Sequence, residues 1–219
     1  MKGLFFLIVM LISNCCIAQT DIELKIINDS IKKVSIFDSN TIVFSLKNIS
    51  KKNYLLVLDF EFNEHPEYYV EPEFIGLLDY YVFENDSIIK PEGVTSNNTN
   101  EFIVDTKSLD FKKFYKAYSK VFSKHDIEIA FRLDKKIKVL KPGEEKYFSV
   151  EVNFPKYRRR YIDLKNHHPY YFQISLNTPK EIIEKYYLKT HNKYSKDIIF
   201  TGQIFSNKVP LLYEVYNDK

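Results

Sequence analysis

Hydrophobic positions recur at every second residue along most of this chain. In residues 41–47, Ile42, Phe44 and Leu46 fall on one side and Val43, Ser45 and Lys47 on the other, the period of a half-buried β-strand. Residues 54–62 repeat the pattern, with Leu56, Leu58, Phe60 and Phe62 on a common side. Further runs rich in β-branched and aromatic residues predict strands over 22–27, 34–37, 77–83, 138–140, 147–154, 170–176, 198–205 and 209–216. Roughly eight to ten strands separated by turn residues are the pattern of a sandwich rather than of βαβ units. Lys141-Pro142-Gly143-Glu144 predicts a tight turn, with proline fixing φ at its first central position and glycine supplying the positive φ of its second.

Two segments follow a helical period instead. Across 108–124, Leu109, Phe111, Phe114, Tyr115, Tyr118, Val121 and Phe122 are spaced by threes and fours, which predicts one inserted amphipathic helix capped by Ser108 or Asp110. A second, shorter helix is expected over 179–189, with Thr178 as cap and Pro179 at its first position. Helices of this kind cover an open edge or end of a sandwich; docking of a partner is the alternative. Residues 85–100, with Pro91, Gly93 and Asn97-Asn98, read as a long loop. No internal repeat or linker divides the chain, so the expectation is a mainly β fold in a single elaborated domain over 19–219.

The N-terminus stands apart. Lys2 precedes an apolar run from Leu4 to Ile12, followed by Ser13, Asn14 and Cys15-Cys16-Ile17-Ala18-Gln19. That order of a basic start, a short apolar stretch and small residues ahead of a cleavage point predicts a signal peptide over 1–18. The run falls short of the roughly 20 apolar residues that span a bilayer, and no other segment approaches that length. A soluble periplasmic or secreted protein is therefore expected, and a membrane-anchored lipoprotein acylated at Cys15 or Cys16 is the alternative.

Composition sharpens what such a domain could do. Cleavage after Ala18 removes both cysteines and both methionines, and the chain has no tryptophan. A thiolate nucleophile, a Cys-ligated metal and a disulfide are then excluded. With 45% hydrophobic and 16% aromatic residues, packing alone suffices, since a domain of this length buries roughly 70% of its unfolded surface. The net charge of +3 falls to +2 with the loss of Lys2. That is too small a surplus, on an exported chain, to point to nucleic acid.

Some of these motifs resemble a known class. A strand ending in Asn48-Ile49-Ser50, a hydrophobic strand after it, and a strand–Leu140-Lys141-Pro142-Gly143-Glu144–strand hairpin running into Phe148 are together similar to exported bacterial immunoglobulin-like β-sandwich domains. The resemblance implies that the first pair forms one edge of the sandwich and that the Pro-Gly-Glu turn joins two core strands. It brings no catalytic residues with it, and the helix near Phe114 departs from the plain pattern.

Candidate chemistry falls in two clusters. Glu61, Glu64, His65, Glu67, Glu71 and Glu73, around Pro66 and Pro72, could offer oxygen ligands to a hard cation such as Ca²⁺ or form a solvated acidic loop. Tyr68 and Tyr69 in the same stretch could make an exposed contact patch. Tyr157-Arg158-Arg159-Arg160-Tyr161, followed by Lys165 and His167-His168, combines planar guanidinium forks with stacking rings, which suits an anion. The plainer reading is a solvated connection with its arginines paired to acids. No two histidines have the i, i+4 spacing of a helical zinc site, and neither a Gly-x-Ser-x-Gly elbow nor a phosphate-binding glycine loop is present. The sequence thus assigns no catalytic residue, cofactor or metal. It points to a non-enzymatic binding module that contacts a protein or an anionic envelope component. A periplasmic inhibitor or immunity protein and an accessory subunit of an envelope complex come next, and a carboxylate-based hydrolase has the least support.

Overall fold

The computed structural model describes residues 21–59, 61–62, 75–93, 104–157, 160–190 and 198–215, and these form a β-sandwich with three short helical segments on one side. In chain order the strands of the first half are β1 (Ile22–Ile26), β2 (Ile31–Lys33), β3 (Asn40–Asn48), β4 (Tyr54–Val57), β5 (Leu78–Glu84), β6 (Ser87–Ile88) and β7 (Glu92–Gly93). Helices α1 (Leu109–Tyr118) and α2 (Lys124–Lys136) follow, then β8 (Ile137–Leu140), β9 (Glu145–Val152), β10 (Lys156–Tyr157), β11 (Arg160–Tyr161) and β12 (Tyr170–Thr178). A short α3 (Lys180–Ile182) runs into a π-helical turn (Ile183–Tyr187), and β13 (Ile198–Ile199), β14 (Gly202–Phe205) and β15 (Val209–Tyr213) complete the set.

The strands assemble as the alternation requires. One sheet has the order β1-β3-β9, antiparallel throughout. A larger one has the order β2-β15-β12-β5-β6, with β14 pairing the far half of β12. A third has the order β13-β4-β8, and β10, β11 and β7 make a small fourth. The inward side chains of the first three meet in one core, which includes Ile42, Phe44 and Leu46 of β3, Leu56 of β4 and Leu58 after it, and Phe172, Ile174 and Leu176 of β12. An aromatic group lies at its centre. Tyr80 stacks on Phe172 at 5.9 Å, and Phe62 and Phe154 meet both rings edge-on.

Several sequence expectations are met in detail. Gly143 has φ +71° and Glu144 N–H donates to Lys141 C=O at 3.0 Å, closing the expected turn, but the turn carries the chain from one sheet to another instead of making a hairpin: β8 pairs with β4 and β9 with β3. The Asn48-Ile49-Ser50 motif acts through the asparagine. Buried Asn48 donates to the carbonyls of Lys52 and Leu140 and accepts from Ser50 N–H and Oγ, which ties the end of β3 to β8.

Other expectations need correction. The strand expected over 34–37 lies earlier, at Ile31–Lys33. Lys33 is only 1% exposed, and its ammonium donates to Asp38 C=O and to Asn153 Oδ1, so the loop carrying Val34, Ile36 and Phe37 turns outward. The single helix expected over 108–124 is two helices. Ser108 caps α1 as expected, accepting from Phe111 N–H, but Ser123 caps a second helix by accepting from Asp126 N–H. Ile127, Ala130 and Leu133, spaced by threes, form part of its buried stripe. Thr178 does not cap α3; it ends β12, and its hydroxyl is buried without a hydrogen bond. Residues 85–93 are more ordered than a loop: Asn85 and Asp86 both have positive φ and turn β5 into β6, and β7 pairs with β11.

The helices cover a sheet face rather than an edge. Leu55 and Val57, on the outer side of β4, pack with Ile129, Ala130 and Leu133 of α2 and with Ile183, Tyr186 and Tyr187 of the π turn as a second buried cluster. α1 lies farther out and meets α2 through Phe131, whose ring is 5.3 Å from Phe111 and 5.4 Å from Phe114.

Candidate binding surface

The arginine cluster does not form a surface site through Arg160. In the two-residue strand β11, neighbouring side chains leave on opposite sides, and Arg160 turns inward, 5% exposed. Its guanidinium carbon lies 4.2 Å above the ring of Tyr80, and Nη2 donates to Tyr80 C=O at 3.0 Å. That carbonyl faces the side of β5 away from β12, beyond the short pairing with β6. Arg160 thus occupies a sheet edge, and its Nε is buried without a partner. A cavity of about 170 Å³ adjoins it, lined mainly by apolar groups of Tyr80, Ile88, Ile89, Pro91 and Ile162. Arg158, Arg159 and the side chain of Tyr157 lie outside the described residues, as do Glu64, His65, Glu67, Tyr68 and Tyr69.

The remaining members of the cluster gather at one end of β12. His168 Nδ1 is 2.7 Å from Glu84 Oε1, and its ring stacks on Tyr170 at 6.0 Å. His167 holds a positive φ of +63° and donates its N–H to Tyr213 C=O, so it shapes the turn into β12. Burial pushes the Tyr213 phenol up from its ordinary range, and its neighbours Tyr161, Asp163 and Tyr170, each anionic when ionised, oppose its ionisation further. Burial likewise raises Tyr170, opposed by the hydrogen bond it accepts from Lys165 N–H. This end of the sheet mixes phenols and the carboxylates of Glu84 and Asp163 with exposed Lys165, His167 and His168, and Arg160 is buried away from solvent. Among the described residues no group of three or more His, Cys, Asp or Glu side chains could hold a metal ion.

A different surface emerges on the outer face of the large sheet. Strand register places Ile88, Phe83, Tyr171 and Pro210 side by side across β6, β5, β12 and β15, close enough for cross-strand contact. One step along, Tyr81 faces Gln173. Beyond it Ser175 lies between Asp79 and Phe205, and Asn177 lies beside Gln203. Tyr171 is 44% exposed, Phe205 50% and Ile88 48%. Tyr81 is held beneath them: its ring is 5.8 Å from that of Phe205, and its hydroxyl meets Ser175 Oγ and Gln203 Nε2. At the rim Lys208 Nζ sits 3.8 Å over the Phe83 ring.

Charge separates this face from its counterpart. The outward positions of the β1-β3-β9 sheet include Glu23, Lys25, Lys47, Glu145 and Glu151. On β5, β12, β14 and β15 the outward residues are rings, amides, a serine, Pro210 and Leu212, with Asp79 the one charge, and at the β2 edge Lys32, beside Leu212, pairs with Glu214 at 3.5 Å. In a chain with 28% charged residues, the middle of this face stands out as a surface of rings and amides.

Sequence reasoning located these strands but missed the face, because it assigned inward and outward sides only in residues 41–47 and 54–62. The available signal was the outward register of 170–176, where Tyr171, Gln173 and Ser175 alternate with the core residues and carry no charge. No known protein family matches the chain, and no curated protein matches it.

Proposed function

We propose that the chain is an exported, non-enzymatic binding module on an immunoglobulin-like sandwich, and that it holds an envelope component against the outer face of its large sheet. The observation that supports this reading most is the charge-poor aromatic surface around Tyr171 and Phe205, left uncovered while the apolar outer face of β4 lies beneath helices. Its groups suit contact rather than chemistry. Phenyl and phenol rings stack and bury area, and Gln173, Gln203 and Asn177 hydrogen-bond without titrating. The signal sequence over 1–18 supports delivery to the envelope.

Sedimentation with isolated envelope material, membrane and wall together, tests the reading. Wild-type protein is expected in the pellet, and Tyr171→Asp/Phe205→Asp in the supernatant. A control, Ser149→Asp on the outer side of β9, should pellet like wild type. A wild-type protein that stays in solution, or a double variant that still pellets, overturns it.

A further inference from the structure

The face carries a chemical signature of its own ligand. It offers two kinds of group in alternation: ring surfaces at Tyr171 and Phe205, each about half exposed, and hydrogen-bonding side chains beside them. The Tyr171 hydroxyl and the Asn177 amide make no hydrogen bond among the described residues, and Gln203 uses only its Nε2, donated to Tyr81 and Ser175. Tyr81 beneath Phe205 supports that ring from below. A matching ligand offers apolar surface to the rings and hydroxyls at its edges, and carries little charge.

Other classes fit less well. A nucleic acid would need cations along its phosphates, and the two at the rim of the face are engaged, Lys208 with Phe83 and with Asp86 at 3.5 Å and Lys32 with Glu214 at 3.5 Å. An anionic glycan or lipid headgroup meets the same objection, and Asp79 would repel it. Protein interfaces are themselves aromatic and charge-depleted at their centres, so lack of charge does not separate a protein from a sugar; the Tyr171 hydroxyl and Asn177 amide, which make no hydrogen bond among the described residues, favour a hydroxyl-rich ligand. A pyranose ring meets every requirement. Its C–H face carries slight positive charge and lies well on the negative face of an aromatic ring, and its equatorial hydroxyls reach amides and phenols at the ring edges.

Resting on the reading above, we infer that the outer face of the large sheet binds an uncharged polysaccharide, with Tyr171 and Phe205 stacking on sugar rings and Gln203 and Asn177 binding hydroxyls. Direct contact at Tyr171 depends on the ring and only secondarily on its hydroxyl.

The test uses the full chain on columns of immobilised β-glucan, xylan and mannan, with alginate as an anionic comparison. Wild type should be retained by at least one neutral column and stay retained at about 0.5 M salt, where exposed charge interactions are screened. Tyr171→Ala/Phe205→Ala should lose about tenfold or more in affinity, and Tyr171→Phe should remain within about threefold of wild type. Matching thermal midpoints show that the variants are folded. Passage through all three neutral columns, retention by alginate alone, retention that survives the double substitution, or a concentration-dependent dimer abolished by Tyr171→Ala would each overturn the polysaccharide. The two proposals fail separately. Envelope sedimentation that needs the face, with no neutral column retaining the protein, removes the ligand class and leaves the module. Column retention without envelope sedimentation removes the envelope and leaves the ligand class.

Discussion

The outer side of β4 and the outer face around β12 and β14 both carry large apolar groups, yet the chain treats them in opposite ways. Leu55 and Val57 on β4 are buried beneath α2 and the π turn, in contact with Leu133 and Tyr187. Tyr171 on β12 and Phe205 on β14 stay open. Apolar area removed from water stabilises a fold by roughly 25 cal/mol per Å², so leaving rings uncovered forgoes stability that two helices supply elsewhere. The lesson is that composition alone does not distinguish a covered face from an open one. Aliphatic residues under a helix serve the fold, and rings interleaved with amides in the open are what the proposed binding would use.

Leu133→Ala should show the largest effect, since the residue is 2% exposed within the helix–sheet contact and such truncations cost about 2–5 kcal/mol. Tyr171→Ala, measured in the same denaturant titration, should cost under about 1 kcal/mol. Equal losses would abolish the distinction between the faces.

The inner side of β4 offers a probe by pH. Burial and the hydrogen bond to Asp21 push the Tyr54 phenol up to about 12. The unfolded chain ionises this group near its ordinary value, and the folded chain resists. Stability is therefore unaffected below about pH 10 and falls as pH rises toward 12, by about 2–3 kcal/mol. Tyr54→Phe should flatten that part of the stability–pH curve, and an unchanged slope would show that Tyr54 is not held as described.

Arg160→Ala separates fold from face at the β5 edge. It removes the donor to the Tyr80 carbonyl and the cation above its ring, a loss of about 1.5–3 kcal/mol. Ligand retention at a temperature where the variant is folded should be unchanged. A variant of normal stability that fails to bind would return the arginine to the site.

Much of the fold was legible because alternation and burial agree: Ile42, Phe44 and Leu46 point inward, and Gly143 adopts the conformation its turn requires. The helix α2 was hidden by charge. Its buried Ile127, Ala130 and Leu133 stand among lysines, aspartates and an arginine, so the capping pair Ser123 and Asp126 was a better signal than its hydrophobicity. The site was less legible, since a slip of one residue reverses every side chain in a strand. Nothing in three consecutive arginines says which one turns inward, and nothing in Tyr170-Tyr171 says which ring is core. Only pairing with Glu84 and Phe83 decides the second.

Lys33 has a consequence for covalent labelling. Its amine is enclosed and held by Asp38 and Asn153, and burial lowers its pKa from the usual lysine value. Once uncovered, that nitrogen regains the full reactivity of an ordinary lysine. Among the 28 lysines of the chain, its acylation is therefore limited by local opening at β2 rather than by reagent access, and the lag before it reacts is a clock for how often that edge of the sandwich breathes.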